Sequence, residues 1–166
     1  MKAIHTKYFG PAERRGSRIV AKDGDGNRKV SEYDDALNSE QNHVAAAHAL
    51  DGHGLKRVAI IDFDVHHGNG TEDILAGDDR VLMCSTFPHP FYPYCGTEDV
   101  APNMVNVPVP AYTAGTEIRK LMATHWFPRL ESHRPELIFI SAGFDAHRED
   151  DLGQLGMTES DYRWIT

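Results

Sequence analysis

Two carboxylates and an imidazole stand at alternate positions in Asp62-Phe63-Asp64-Val65-His66-His67-Gly68-Asn69-Gly70. In an extended chain successive side chains point to opposite faces, so Asp62, Asp64 and His66 share one face and Phe63 and Val65 the other. Carboxylates crowded at the end of an apolar run are costly to bury unless something cancels their charge, and a divalent cation does so. His67 falls on the opposite face from His66, which makes His66 the expected ligand and His67 not. Gly68 and Gly70 would let the backbone turn beneath the site. A second element of the same kind is Ser141-Ala142-Gly143-Phe144-Asp145-Ala146-His147, which again follows an apolar run. Asp145 can join Asp64 and His66 if the two runs are neighbouring strands. Two carboxylates and one imidazole leave a coordination position open to water, the mark of a catalytic rather than a structural zinc.

The elements that must position these residues follow from the apolar pattern. VAIIDF (58–63), RVLMCSTF (80–87) and LIFISAG (137–143) are nearly continuous apolar runs, as expected of strands covered on both faces, with Met104–Val109 a shorter one. Between them, Thr71–Ala76 is predicted as a short helix capped by Thr71, and Thr116–Leu130 as a longer one carrying Ile118, Leu121, Met122 and Trp126. Thr158–Thr166 begins another. Before Lys56 a helix is expected from Ser39, stopped by Gly52 and Gly54. Strands alternating with helices imply a mainly parallel sheet with helices on both sides, an α/β fold whose ligand sites lie at the carboxyl edge of the sheet.

Residues 1–42 read differently. Arg18-Ile19-Val20 and Lys29-Val30 flank DGDGN (23–27), which suits two short strands joined by a turn. Asp23, Asp25 and Asn27 have the spacing of a calcium loop, but Arg28 and Asp34 stand where that loop needs Gly and Glu, so a hairpin turn is the better reading.

Composition bounds the partners. The 166 residues include 17 Lys plus Arg against 25 Asp plus Glu, a formal charge of -8, which argues against a general grip on nucleic-acid phosphates. No apolar run approaches the ~20 residues of a membrane span, and the start is not a signal peptide. The two cysteines, Cys84 and Cys95, form no CxxC and are too few for a secreted scaffold. A cytoplasmic location is the default, and Cys84 within an apolar run is expected to be inert.

DFDVHHGNGTEDIL and SAGFDAH, with STF and FYPYCGTE between them, resemble the histone deacetylase and acetylpolyamine amidohydrolase superfamily from about residue 43 to 166. The resemblance implies an arginase-like three-layer αβα sandwich, here expected to be incomplete at both ends. It implies zinc held by Asp64, His66 and Asp145. It further implies a monovalent cation, potassium, held by Asp62, Ser85 and the backbone carbonyls of Asp64, His66 and Thr86. Phe91 and Tyr92 would line the acyl channel. His67, next to His66, and His147, two residues past Asp145, are candidates to stand behind the ligands, with a helix-start role equally open for His147. The reaction implied is hydrolysis of an acetylated amine, such as acetyl-lysine or an acetylpolyamine, to acetate and the free amine.

Two parts of the family's machinery have no counterpart in this sequence. Its Gly-His-His motif is absent, since His43, His48 and His53 have no histidine neighbour, and no Gly-Gly-Tyr loop is found. Weak or absent turnover is therefore expected, with a catalytically inactive, metal-stabilised binding module as the alternative. Sheet edges and apolar faces left open by an incomplete sandwich would favour self-association.

Overall fold

The computed structural model describes residues 13–15, 18–22, 28–32 and 36–166, with side chains from Gln41 onward. Three short strands, β1 (Glu13–Arg15), β2 (Arg18–Lys22) and β3 (Arg28–Glu32), form an antiparallel sheet in the order β1-β2-β3. The expected pairing across DGDGN is present as β2 with β3, Val20 opposite Val30. The turn itself, and with it the calcium-loop reading, lies outside the described residues. β1 was not legible in a run of Glu and Arg.

The second sheet carries the site. It contains β4 (Val58–Asp62), β5 (Val81–Pro88), β6 (Met104–Val109) and β7 (Leu137–Ser141), all parallel, in the order β6-β5-β4-β7. Helices α1 (Ala36–Ala47), α2 (Asn69–Leu75), α3 (Gly115–His125), α4 (Phe127–His133) and α5 (Glu159–Ile165) connect and cover it. The strand pleat sorts the core into two layers. Ala59 and Ile61 of β4, with Leu82 and Cys84 of β5, face Ile118, Met122, Trp126 and Tyr162. Val58 and Ile60, with Val81, face Ala46, Ala49 and Leu50 on the other side. The result is a helix–sheet–helix sandwich. None of the described helices is long and apolar enough to cross a membrane.

Several boundaries differ from the sequence reading for identifiable reasons. α1 begins at Ala36, so Ser39 lies inside it rather than capping it. α2 begins at Asn69 behind Gly68, which leaves Thr71 buried in its first turn instead of at its cap. The predicted helix 116–130 is two helices, because Pro128 at the start of α4 cannot donate to the preceding turn. Thr158 does cap α5: its hydroxyl and N–H both engage Asp161, a reciprocal capping box.

The largest correction concerns β7. Its apolar run suggested a strand covered on both faces, yet Leu137, Ile138 and Ile140 are 40%, 48% and 46% exposed. Among the described residues β7 is an edge strand paired only with β4, and only its Phe139 packs into the layer formed with α1.

Candidate metal centre

β4 and β7 lie side by side in parallel with Asp62 opposite Ser141, so the loops that leave them start level. Asp64 and His66 lie two and four residues beyond Asp62, and Asp145 four beyond Ser141. The loops are stitched together by Phe63 N–H donating to Ser141 O (3.3 Å) and Val65 N–H donating to Asp145 Oδ1 (3.1 Å). Although regular strand ends at Asp62, side chains continue to alternate. Phe63 and Val65 are buried in the core, while Asp64 and His66 stay half-buried at the surface of the cleft.

The three side chains meet. One donor atom from each of Asp64, His66 and Asp145 lies within 4.8 Å of the others, the one such group of three among the described residues. His66 Nδ1 is 3.0 Å from Asp64 Oδ1 and 3.2 Å from Asp145 Oδ2. Hydrogen bonds to Asp145 and then Asp64 push the imidazole up to about 10. Burial acts to raise the Asp145 carboxyl, but the His66 hydrogen bond and the Val65 N–H outweigh it and hold it below the usual range. The donor set, with its exposed side, fits zinc.

Asp62 takes a different part. It is 3% exposed, and its carboxyl is pushed up to about 7 by burial and by the neighbouring Asp64 charge, against hydrogen bonds from Asp64 N–H and Ser141. Ser85 is its register partner on β5, and Ser85 Oγ is buried without a hydrogen-bond partner among the described residues. The Thr86 hydroxyl donates to Val107 O (3.0 Å).

Phe91 and Tyr92 both lie against the His66 ring. The Phe91 ring stacks 5.5 Å from His66, and Tyr92 meets it edge-on at 6.0 Å. The residues expected behind the ligands do otherwise. His67 is fully buried, its Nε2 3.1 Å from Glu72 Oε1 and its ring 4.4 Å from Phe87. Asn106 Nδ2 then donates to Glu72 Oε2 at 2.5 Å. His147 stacks on Tyr162 at 6.3 Å and accepts from Glu149 N–H. Both rings are turned to partners other than the three ligands.

Other residues shape the site. A Cβ on Gly143 would overlap the Asp64 carboxylate, so the glycine two positions before Asp145 is what lets the loops close. Gly68 is needed for space rather than for an unusual dihedral: its φ is -75°, and a Cβ there would sit 2.6 Å from Asp62 Oδ2. Asn42 of α1 donates to Ser141 Oγ (3.0 Å) and, with Asp62, Asn69 and Thr71, lines a cleft of about 310 Å³ beside the ligands. Asn106 carries no signal in the sequence, because its partner Glu72 comes from a distant element.

A parallel α/β sandwich with an Asp-His-Asp centre at the carboxyl edge of its sheet defines the class of protein. Residues 39–166 match the histone deacetylase domain family, and the chain belongs to it. A type-2 histone deacetylase 2 of Dictyostelium discoideum is 38% identical over 137 residues, covering 74% of this chain and 8% of that protein. A histone deacetylase-like amidohydrolase of Pseudomonas aeruginosa is 36% identical over 130 residues, covering 74% of this chain and 34% of its own length. Among solved structures, the HDA15 HD domain superposes with a TM-score of 0.65 at 33% identity, covering 74% of this chain and 38% of that one. The histone deacetylase Clr3 gives 0.66 at 31%, covering 74% and 23%. The chain therefore spans well under half the length of these relatives.

Proposed function

We propose that residues 39–166 form the metal-binding core of a zinc-dependent amidohydrolase that releases acetate from an acetylated amine such as acetyl-lysine or an acetylpolyamine. The observation that carries this is the convergence of Asp64, His66 and Asp145 beneath the rings of Phe91 and Tyr92. When bound, zinc polarises an amide carbonyl and lowers the pKa of a bound water. The chain's own residues do the rest. Asp64, His66 and Asp145 would hold the ion. Phe91 and Tyr92 offer apolar walls to the acyl arm and keep bulk water from it. Asp62, Ser85 and the backbone carbonyls of Asp64, His66 and Thr86 would hold potassium under the ligand loop. A cytoplasmic setting and self-association along the open β7 edge complete the proposal.

A second reading has its own observation. Among the described residues, the cleft beside Asp62 and Asn69 holds only the histidines His66 and His67, one a ligand and the other tied to Glu72. The Tyr162 hydroxyl donates to Phe144 O and is not free to stabilise an oxyanion. Loss of a general base typically costs 10²–10⁴-fold. This favours a metal-stabilised module that binds an acylated amine or a partner without turning it over.

The two readings separate on the purified chain with acetyl-lysine peptide and acetylspermidine, loaded with zinc and with Asp145→Ala as control. Slow acetate release that vanishes in the variant supports the hydrolase. Stoichiometric zinc with no release above the Asp145→Ala background supports the binding module.

A further inference from the structure

α1 does not end as an α-helix. After Ala47 it widens into a five-residue π-helical turn, His48–Gly52, closed by His53 N–H donating to His48 O at 3.1 Å. Single π-turns are rare and occur mostly at functional sites. In an α-helix, residues five apart diverge by roughly 140° around the axis. The wider turn removes that divergence, and His48 and His53 face each other. Their Nε2 atoms are 3.2 Å apart, with ring centroids 4.7 Å apart and planes at 84°. Both side chains are exposed, and among the described residues neither has a carboxylate or carbonyl partner.

The turn is shaped around this pair. A Cβ on Gly52 would lie 2.8 Å from His48 Nδ1 and 3.1 Å from its Cε1, so a side chain there would displace the ring. Gly54, at φ 74°, then carries the chain away toward Leu55 and β4. Two imidazole nitrogens bound to one tetrahedral ion at 2.0–2.1 Å stand roughly 3.3–3.4 Å apart. The spacing here needs almost no adjustment to match.

We infer that His48 and His53 form a second metal site, for a divalent transition ion of the zinc, copper or nickel type, with water in the remaining positions. Imidazole suits these ions and discriminates against magnesium and calcium. The site lies at the amino-terminal end of β4, whereas Asp64 and His66 follow its carboxyl end. The five residues of β4 between them span roughly 16 Å, too far for the two sites to share an ion. With two neutral ligands and no carboxylate, it binds more weakly and exchanges faster than the three-ligand centre. It does not depend on the proposed hydrolase activity.

Zinc and copper titrations of the full chain test it, read by calorimetry and by electron paramagnetic resonance of the copper form. In an Asp64→Ala/Asp145→Ala background one weaker equivalent should remain, with the nitrogen hyperfine pattern of imidazole ligands. His48→Ala or His53→Ala should each abolish that equivalent and leave the tight one of the otherwise unaltered protein intact. Gly52→Ala, which keeps both ligands but crowds His48, should weaken it about 10-fold, as displaced ligand orientation does elsewhere. A weak equivalent that survives both histidine variants, or no second equivalent at all, overturns the inference and leaves an ordinary N–H···N hydrogen bond between two rings.

Discussion

Residues 62–72 present two faces built from the same residue types, and they do opposite things. On the open face, His66 stands between Asp64 and Asp145, half-buried, with an exposed side. On the closed face, His67 stands against Glu72 and Glu72 against Asn106, with His67 and Glu72 almost wholly out of water. The closed set already has its partners inside the protein and acts as a fastening for the loop. The open set gathers two carboxylates around a single ring nitrogen and gains most from a cation. A histidine beside a carboxylate is therefore not by itself a metal site. What sets the open set apart is its access to solvent and its excess of negative charge.

The sharpest break of this comparison is removal of an open-face ligand. Asp64→Ala, His66→Ala or Asp145→Ala should abolish stoichiometric zinc, lowering affinity by more than the roughly 10–100-fold typical of supporting groups. His67→Ala should retain it. Metal analysis after dialysis decides between them, and zinc lost from His67→Ala but kept by His66→Ala would reverse the assignment of faces. Zinc at 100 times its Kd should also raise the stability of the unaltered protein by about 2.7 kcal/mol, and that increment should be missing from the ligand variants.

Next in size is the closed face. Glu72→Ala leaves His67 Nε2 and Asn106 Nδ2 without their acceptor inside a packed core. It should cost roughly 2–4 kcal/mol in the metal-free protein. Asp145→Ala should cost the metal-free protein far less, because its surroundings are half open to water. Urea unfolding in the presence of a chelator measures both, and equal losses would erase the distinction between fastening and binding face.

Thiol chemistry gives a smaller contrast. Burial pushes the Cys84 thiol up to about 12, whereas Cys95 is only partly buried and also raised, first by burial and then by nearby acidic side chains. A disulfide reagent at pH 8 should modify Cys95 slowly and Cys84 only on unfolding. Fast labelling of Cys84 in native protein would mean that β5 opens readily.

The smallest effect belongs to a surface pair far from either face. Arg80 hydrogen-bonds Asp78 at 2.7 Å and holds its carboxyl below the usual 3.8. A depressed carboxyl stabilises the fold above its unfolded value and loses that contribution as pH falls through the folded one. The pair is well exposed, so Arg80→Ala should cost about 0.5 kcal/mol at pH 7, a difference that shrinks away as the Asp78 carboxyl protonates. Thermal unfolding across pH 2–7 reads the difference.

Much of the site was legible because its determinants are local. Asp62, Asp64 and His66 alternate at a strand end, Asp145 follows another apolar run, and extended backbone dictates which side chains share a face. The same locality makes β4, β5 and β6 recognisable and separates His66 from His67. Helix limits were less secure, since the break at Trp126 and the start of α2 at Asn69 depend on how each segment docks on the sheet.

Other features come from long-range geometry and leave no periodic trace. That β7 lies beside β4, placing Asp145 against Asp64, follows from the strand order and not from either segment alone. That β7 is an exposed edge follows from having one neighbour, which an apolar run cannot announce. Glu72 reaches His67 across one helical turn but needs Asn106 from β6, and Gly143 matters only because the Asp64 carboxylate occupies the space where its Cβ would be. The sequence by itself determined the chemistry on offer, namely which donors stand at strand ends and which face each takes. Only the tertiary structure decided which donors meet and which are consumed by the core, because burial and pairing are properties of the neighbours a residue acquires on folding.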